Sequence, residues 1–411
     1  MRSCSRIINN LLVAAIIIFS SFPIFAQGVV LNADKRAAGE EVEGIAPEPT
    51  LTTADFQSAA KQAVLIDFNT DMVLYNKEAE TRMFPSSMTK VLTMYLVFDQ
   101  LRKGHIKLDT EFPVSEKSWK TGGSQMFLKI GDKVKVDDLI QGVIVQSGND
   151  ACVALAEGIS GSVEAFVEDM NTVALQLGMK DTKFANPDGL PTEGHFTTAK
   201  DLTIIARRLI TDFPEYYHYY SQREFTYGGI KQYNRNKLLD IADLGVDGMK
   251  TGYTEMGGYG MIATGSKNGR RLVAVVNGLE SESARLQAAA ELIRYGYNNF
   301  KEVKLFNKGD VIGKVKVWNG VEDKVSITAE KDVEFLVERR AYNFNNYKVQ
   351  IAYSEPWVAP IKAGTNIANL VIKDKNEKII HQIPLYANKD IKEAGIVKKI
   401  IQKAKYLVGK Y

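Results

Sequence analysis

Histidine and cysteine are both scarce in this chain of 411 residues, which has four histidines and two cysteines. The histidines lie far apart, at His105, His195, His218 and His381, and none belongs to an evident Ser/His/Asp arrangement or has a partner at metal-ligand spacing. The sequence therefore gives no support for a histidine-based serine hydrolase or a zinc peptidase. It implies no metal and no cofactor, and His195 is interpreted as a structural residue of a loop.

An excess of charge of one sign is also missing. The chain has 52 basic and 49 acidic residues and a formal net charge of +3, so it lacks the strongly basic surface of a nucleic-acid-binding protein. Its 45% hydrophobic and 25% charged residues are typical of a globular protein, and its length leaves room for two or more domains. Nucleic acid is therefore excluded as a partner.

The N-terminus lacks an apolar run long enough to cross a bilayer comfortably. Arg2 and Arg6 precede an apolar core at residues 11–19, and a small residue, Ala26, ends the segment. This pattern predicts a cleavable signal peptide over residues 1–26, with an uncleaved anchor as the alternative. We expect an exported protein on the outer, periplasmic face of the cytoplasmic membrane, where ATP-dependent chemistry is not expected.

Signal-peptide cleavage would remove Cys4 and leave Cys152 as the one cysteine of the exported chain. That chain could form no internal disulfide. Its fold must then be stabilised by packing and hydrogen bonds.

Composition and periodicity divide the rest of the chain. Residues 27–52 are poor in aromatics and rich in Ala, Gly, Glu and Pro, which predicts a linker. Residues 53–300 begin with a hairpin pattern, AVLIDFNTDMVLYN, and end with a second hairpin about Asn268-Gly269, with helical patterns between. They predict an α/β domain whose antiparallel sheet is covered by helices. Residues 301–388 contain short β-rich runs separated by turns and predict a small all-β domain.

The last segment, residues 389–411, has the pattern of an amphipathic helix. Its lysines lie on different faces from the apolar residues, which recur every three or four positions: Ile391, Ala394, Val397, Ile401, Ala404, Val408 and Tyr411. Basic content at a chain end favours a helix that lies on an anionic membrane surface. The alternative is an ordinary helix packed on the all-β domain.

Three short motifs follow one another in the α/β domain: Ser87-Met88-Thr89-Lys90, Ser147-Gly148-Asn149 and Lys250-Thr251-Gly252. Each is weak alone, because each has a second match elsewhere in the chain. Context separates them from those matches, since Ser87 follows Pro85 in the first turn of a predicted buried helix and Lys250 begins an alternating hairpin pattern. The ordered set therefore indicates one catalytic site.

The chemistry of the set is that of a serine nucleophile with a lysine base. A serine hydroxyl is a weak nucleophile unless a neighbouring base accepts its proton. Lys90 lies one turn after Ser87 on the same helix face, and burial near Lys250 would lower its pKa by desolvation and like-charge repulsion. Ser147 and Asn149 would supply short polar groups from the opposite wall, where Asn149 could also cap a helix.

This set resembles the active site of the penicillin-recognising serine acyltransferases. Further stretches are similar to the D-alanyl-D-alanine carboxypeptidases, the low-mass penicillin-binding proteins: PSSMTK, IVQSGNDACVALAE, NPDGLP, HFTTAKDL, QYNRNKLL and VDGMKTGYT. The resemblance runs from about residue 62 to the C-terminus. It implies a β-lactamase/transpeptidase-like fold with a helical subdomain, followed by the all-β domain and the membrane helix.

The resemblance also implies an activity and its partners. The enzyme would be a serine-type carboxypeptidase that removes the terminal D-alanine from peptidoglycan stem pentapeptides through an acyl-enzyme on Ser87. Penicillins would inhibit it covalently. Ser147 would relay a proton between Lys90 and the leaving amine, and Asn149 would bond the substrate amide.

The remaining site residues are substrate-binding candidates. The strand that begins Lys250-Thr251-Gly252 would accept an extended peptide as an added strand, and the main-chain N–H groups of Ser87 and Tyr253 would form the oxyanion hole. Tyr253 departs from the histidine or small polar residue expected there. Lys250 and Thr251 are candidates for binding the terminal carboxylate, Arg285 matches a carboxylate-binding arginine of the family, and Arg235 is a further candidate.

Three alternatives stay open. A D,D-endopeptidase acting on cross-linked peptidoglycan would use the same residues. A class A β-lactamase needs a glutamate in a Glu-x-x-Leu-Asn loop, but the corresponding ANPDGLPTEGH does not match and Glu193 stands in a different setting. A non-catalytic wall-binding protein would have no reason to keep Ser87, Lys90, Ser147 and Lys250.

Overall fold

The computed structural model of the protein describes residues 26–31, 56–340, 346–354 and 356–407. The predicted signal peptide up to residue 25, and the predicted linker from residue 32, lie outside the described residues. The first residues of that predicted linker are not irregular, because strand β1 (Ala26–Leu31) pairs antiparallel with a strand of the C-terminal domain.

The first domain is built on a five-stranded antiparallel sheet with the order β3-β2-β10-β9-β8. The strands of this domain, including two short separate hairpins, are β2 (Gln62–Asp67), β3 (Val73–Lys77), β4 (Glu111–Pro113), β5 (Lys133–Lys135), β6 (Glu224–Tyr227), β7 (Ile230–Tyr233), β8 (Val246–Thr254), β9 (Gly258–Lys267) and β10 (Arg270–Leu279). Both predicted hairpins are present, since β2 pairs with β3 and β9 pairs with β10. Strand β8 lies at the edge of the sheet.

Helices cover both faces of this sheet. They are α1 (Lys90–Arg102), α2 (Glu116–Lys120), α3 (Val136–Gln141), α4 (Asn149–Ser160), α5 (Val163–Leu177), α6 (Ala199–Asp212) and α7 (Glu282–Asn299). On β10, Val273 and Val275 belong to the apolar core shared with the helical subdomain, whereas Leu272, Ala274 and Val276 belong to the core beneath α7. The alternation of strand side chains thus divides the domain into two cores, and the arrangement confirms the predicted fold class.

The longer helices begin at residues suited to capping. Ser162, Thr198 and Ser281 precede α5, α6 and α7, and each side-chain oxygen accepts a hydrogen bond from the main-chain N–H three residues later. Such caps satisfy N–H groups that have no partner within the helix. The helix starts are therefore fixed locally.

The C-terminal domain is all-β. Its strands are β11 (Phe300–Phe306), β12 (Val311–Trp318), β13 (Lys324–Thr328), β14 (Val333–Glu338), β15 (Tyr347–Ser354), β16 (Trp357–Val358), β17 (Asn366–Asp374) and β18 (Ile379–Ala387). A seven-stranded sheet has the order β1-β15-β17-β18-β13-β12-β16, and β11 pairs with β14. The core of this domain is continuous with the core beneath α7, so the two domains share packing.

The C-terminal helix α8 (Ile396–Leu407) starts later than the sequence pattern predicted. Ile391 and Ala394, which belonged to that pattern, are buried against the all-β domain, and Ile391 forms a β-bridge with Ile361. The prediction of helix from residue 389 is therefore wrong for residues 389–395, because bonding to the β domain outweighs helical periodicity there. Within the described residues, no helix is both long and apolar enough to cross a membrane.

A buried arginine joins the two domains. Arg270 Nε lies 2.8 Å from Asp67 Oδ2, and both side chains are buried. Arg270 Nη1 also donates to the main-chain carbonyls of Gly296 at the end of α7 and Phe300 at the start of β11, at 3.1 and 3.0 Å. The arginine thus links β10, β2, α7 and the C-terminal domain.

Replacing Arg270 with methionine should lower the free energy of unfolding by about 3–5 kcal/mol, because the Asp67 carboxylate would stay buried without its partner. Urea unfolding measures the loss. Arg82→Met is the matched control, since Arg82 pairs with Asp181 in solvent, and should cost at most about 1 kcal/mol. Equal losses in the two variants would contradict the role of the buried pair.

Candidate active site

Ser87 lies on a single 3-10 turn, Ser86–Thr89, that follows Pro85 and leads directly into α1. The sequence predicted this serine in the first turn of a buried helix. In the structure, Ser87 lies in the 3-10 turn directly before that helix, which begins at Lys90. Ser86 adopts a left-handed main-chain conformation with φ of 49°, and its hydroxyl lies 3.2 Å from Thr254 Oγ1 on β8. The turn is thereby fixed to the edge of the sheet, with Ser87 half-buried in the cleft.

Lys90 is fully buried as the first residue of α1. Its Nζ lies 2.9 Å from Ser87 Oγ, 2.7 Å from Asn149 Oδ1 and 2.5 Å from the main-chain carbonyl of Asp188. The first and second motifs therefore meet at one amine. A lysine that contacts the hydroxyl of a serine can accept its proton once the amine is neutral.

Ser147 and Asn149 occupy the start of α4. Ser147 follows a π-helical turn, Gly142–Gln146, and adopts a left-handed conformation with φ of 67°. Its hydroxyl is buried and has no hydrogen-bond partner among the described residues. Asn149 Nδ2 donates to the Gly122 carbonyl at 2.7 Å, so its side chain spans from Lys90 to the loop after α2.

Asp150 fixes that loop from the other side. Its carboxylate accepts hydrogen bonds from the main-chain N–H groups of Met126 and Leu128 at 3.0 and 3.1 Å. Gly148, at the cap position before α4, has no side chain to cap the helix, but Asp150 Oδ1 accepts a hydrogen bond from the main-chain N–H of Ala151 in the first turn at 2.9 Å. Asp150 therefore bonds both the start of α4 and the loop that forms this wall of the cleft.

The third motif lies on β8, at the edge of the sheet. Lys250 is buried, and its Nζ donates to the Thr251 carbonyl at 3.2 Å. A Cβ atom at Gly252 would lie 3.0 Å from Ser86 Cβ, closer than ordinary van der Waals contact. A glycine at this position therefore allows the strand to pass beside the nucleophile turn.

Burial dominates the electrostatics of the two lysines. Desolvation lowers the pKa of Lys90, and the positive charge of Arg235 adds to this effect, while Asp188 opposes it. The pKa of Lys250 is lowered further, first by desolvation and then by the charge of Lys90. The sequence predicted that Lys250 would lower the pKa of Lys90 by like-charge repulsion, but the repulsion between the two lysines lowers the pKa of Lys250, and the cation that lowers the pKa of Lys90 is Arg235. The thiol of Cys152 is buried, and burial raises its pKa to about 12, so it stays protonated.

The sequence did not predict that the loop at residues 186–190 is part of the site. The main-chain carbonyl of Asp188 accepts hydrogen bonds from Lys90 and, at 3.5 Å, from Ser87 Oγ. Gly189 has φ of 87°, and a Cβ atom there would lie 1.9 Å from the carbonyl oxygen of Ser86. The NPDGLP sequence indicates a turn, but it carries no signal that a carbonyl of this turn contacts the lysine.

His195 lies behind the nucleophile turn. Its Nε2 is 3.0 Å from Thr89 Oγ1, and desolvation lowers its pKa to about 4. The ring is therefore neutral near pH 7 and supports Thr89. Among the described residues, no three His, Cys, Asp or Glu side chains form a group that could hold a metal ion.

The predicted carboxylate-binding arginines line one groove of about 350 Å³, with Lys237, Met261, Glu282, Ser283 and Leu286. Arg285, in the first turn of α7, is buried; its Nη1 donates to the Gly252 carbonyl at 3.4 Å. Arg235 Nε donates to the carbonyl of Gln146, the residue before Ser147, at 3.0 Å. Tyr253 is half exposed beside this groove and packs on Tyr259, with ring centroids 4.2 Å apart.

Two known family models match this chain. Residues 48–281 match the family model described as D-alanyl-D-alanine carboxypeptidase, and residues 300–393 match that of the penicillin-binding protein 5 C-terminal domain. The chain is 37% identical over 350 residues to the D-alanyl-D-alanine carboxypeptidase DacF of Bacillus subtilis, covering 84% of this chain and 89% of that one. It is 33% identical over 383 residues to DacD of Escherichia coli, covering 92% and 96%.

Solved structures show the same likeness. Penicillin-binding protein 5 of Haemophilus influenzae aligns with a TM-score of 0.76 and 34% identity, over 85% of this chain and all of that one. Penicillin-binding protein D2 of Listeria monocytogenes, in its ampicillin-bound form, aligns with a TM-score of 0.55 and 26% identity, over 60% of this chain and all of that one. The chain therefore belongs to the D-alanyl-D-alanine carboxypeptidase family.

Proposed function

We propose that this protein is a serine-type D-Ala-D-Ala carboxypeptidase that removes the terminal D-alanine from peptidoglycan stem pentapeptides and is acylated by penicillins. The observation that carries the proposal is the 2.9 Å contact between the buried Lys90 amine and Ser87 Oγ, in a cleft that also contains Asn149 and Lys250. The names of its relatives support the substrate, and the ampicillin-bound relative supports penicillin as an inhibitor.

In the proposed mechanism, the neutral amine of Lys90 accepts the proton of Ser87 as Oγ attacks the carbonyl carbon of the D-Ala-D-Ala peptide bond. The main-chain N–H groups of Ser87 and Tyr253 stabilise the oxyanion. Ser147 passes the proton to the leaving amine, and D-alanine departs. Water then hydrolyses the acyl-enzyme and releases the shortened peptide.

Substrate binding would use β8, the strand at the edge of the sheet. An extended peptide can add there as a further strand, with main-chain hydrogen bonds that fix its register. Asn149 would bond the substrate amide. Lys250, Thr251, Arg285 and Arg235 would attract the terminal carboxylate, which is the group that distinguishes an exopeptidase substrate.

The loop at residues 186–190 also bears on the β-lactamase alternative. The residue of this loop that contacts Ser87 and Lys90 is Asp188, through its main-chain carbonyl, while Glu193 is exposed. A main-chain carbonyl cannot take up a proton from a water molecule as a glutamate does. The loop therefore favours a carboxypeptidase over a class A β-lactamase.

Incubation with a stem pentapeptide should yield the tetrapeptide and free D-alanine, because the proposed site attacks the last peptide bond. Mass spectrometry of the products identifies the bond that is cut. Ser87→Ala should abolish both this product and covalent labelling by a fluorescent penicillin. Cleavage at another bond, or a labelled Ser87→Ala band, would contradict the assignment.

The rate of acylation should rise with pH. Only the neutral amine of Lys90 can accept the proton, and burial lowers its pKa, so the midpoint should lie below the value of about 10.4 that is usual for lysine. Lys90→Arg, whose guanidinium stays charged, should slow penicillin acylation by roughly 10²–10⁴-fold. Stopped-flow labelling measures both effects. An acylation rate in Lys90→Arg equal to that of the wild type would show that another group is the base.

We also propose that α8 attaches the protein to the outer face of the cytoplasmic membrane. Gln402 joins the helix to the β12–β13 turn, as its Oε1 accepts from Asn319 N at 2.8 Å and its Nε2 donates to Asp323 Oδ1 at 2.9 Å. Lys398 pairs with Asp323 on the same side. The apolar side chains are left 49–77% exposed on the other side: Ile396, Val397, Ile400 and Ile401. This apolar face, flanked by lysines, fits an anionic lipid surface.

The variant Val397→Glu/Ile400→Glu should lose binding to vesicles that contain phosphatidylglycerol, because it places two charges in the apolar face. Vesicle co-sedimentation of the exported protein measures the bound fraction. Val311→Glu is the matched control. Val311 is an exposed valine at the start of β12, far from the β12–β13 turn that contacts α8. Unchanged binding by the double variant would refute attachment through α8.

A further inference from the structure

Three residues at the edge of the sheet, Thr251, Tyr253 and Tyr259, share the face that lies towards α7. On β8 and β9, Thr251 lies opposite Met261 and Tyr253 lies opposite Tyr259, whereas Lys250 lies opposite Ile262. Met261 belongs to the core beneath α7 and Ile262 to the core of the helical subdomain. Because strand side chains alternate, Thr251 and the two tyrosines face the side on which α7 presents Arg285.

Arg285 is held at several of its atoms. Nη1 donates to the Gly252 carbonyl, and Nη2 lies 2.8 Å from Glu282 Oε1, one turn earlier on α7. Nε has no hydrogen-bond partner among the described residues. In addition, the guanidinium carbon lies 5.5 Å from the centroid of the Tyr259 ring, within the range of a cation–π contact.

A guanidinium offers different parts to hydrogen bonds and to aromatic rings. Its N–H groups lie along the edge of the planar group, and the edge is the part that binds a carboxylate in a fork geometry. An aromatic ring binds the planar face instead. Tyr259 can therefore hold Arg285 in place while the edge exchanges the exposed Glu282 for the carboxylate of a substrate.

Tyr259 is itself well fixed. It is half-buried, packs against the core beneath α7, and contacts the tilted ring of Tyr253, with ring centroids 4.2 Å apart. Tyr253 is the residue at which the sequence departs from the family pattern. The departure thus provides a second ring that keeps Tyr259 beneath Arg285.

We propose that Tyr259 is a positioning residue for substrate specificity: through its ring it fixes Arg285 so that the protein selects peptides ending in a free carboxylate. The proposal rests on the proposed carboxypeptidase function and concerns the same site. Packing alone would make Tyr259 important for both charged and uncharged substrates. A role in carboxylate selection instead affects only the substrate that carries the charge.

The test compares two peptides that differ at one group. One ends in D-Ala-D-Ala with a free carboxylate, and the other carries a C-terminal carboxamide in its place. For each enzyme, the ratio of kcat/KM for the acid to kcat/KM for the amide measures the preference for the carboxylate. Tyr259→Leu should lower this ratio about three- to tenfold, mainly through KM for the acid, and Tyr259→Phe should restore most of it.

The control is Tyr386→Leu, which removes a half-buried tyrosine from β18 of the all-β domain and should leave the ratio unchanged. Should Tyr259→Leu fail to fold, Tyr259→Met replaces it, because methionine also lacks the ring and its unbranched, flexible side chain adapts to an irregular gap. An unchanged ratio, or an equal loss on both peptides, overturns the proposal. A wild-type protein that cleaves neither peptide contradicts the carboxypeptidase function itself and the proposal with it.

Discussion

The buried amine of Lys90 is the constraint on which the site depends. A buried ammonium is unfavourable unless oxygen atoms surround it, and here the three acceptors come from the nucleophile turn, the start of α4 and the loop at residues 186–190. These segments are separate in sequence and meet only when α1, α4 and this loop pack together. The same contacts place the amine against Ser87, so one arrangement both satisfies the buried group and prepares the reaction.

Close main-chain approaches complete the cleft. Gly189 brings the loop against the carbonyl of Ser86, and Gly252 brings the edge strand against the side chain of Ser86. A side chain at either glycine would push a wall of the cleft away from the nucleophile. The carboxylate end of the site is built differently, from long cationic side chains held by hydrogen bonds and, at Arg285, by an aromatic ring. Rigid backbone thus positions the reacting groups, while side chains select the substrate.

The sequence predicted much of this arrangement, because motif residues carry their chemistry in their side chains and helix and hairpin starts have local signals. Pro85 and the Asn268-Gly269 turn are examples. The contribution of Asp188 was not predictable, since its functional atom is a main-chain carbonyl, which every residue has. The start of α8 was predicted wrongly, because Ile391 and Ala394 fit a helical spacing equally well, and their bonding to the β domain depends on tertiary structure.

The ionisation of Lys90 is the most direct test of the account. Lysines labelled with ¹³C at the ε position can be titrated by NMR, and comparison with Lys90→Gln and Lys250→Gln assigns the two buried amines. The account predicts that Lys90 titrates below the usual lysine value of about 10.4, as burial lowers its pKa. A pKa at or above that value would leave Ser87 beside a permanently charged ammonium and would contradict the central claim.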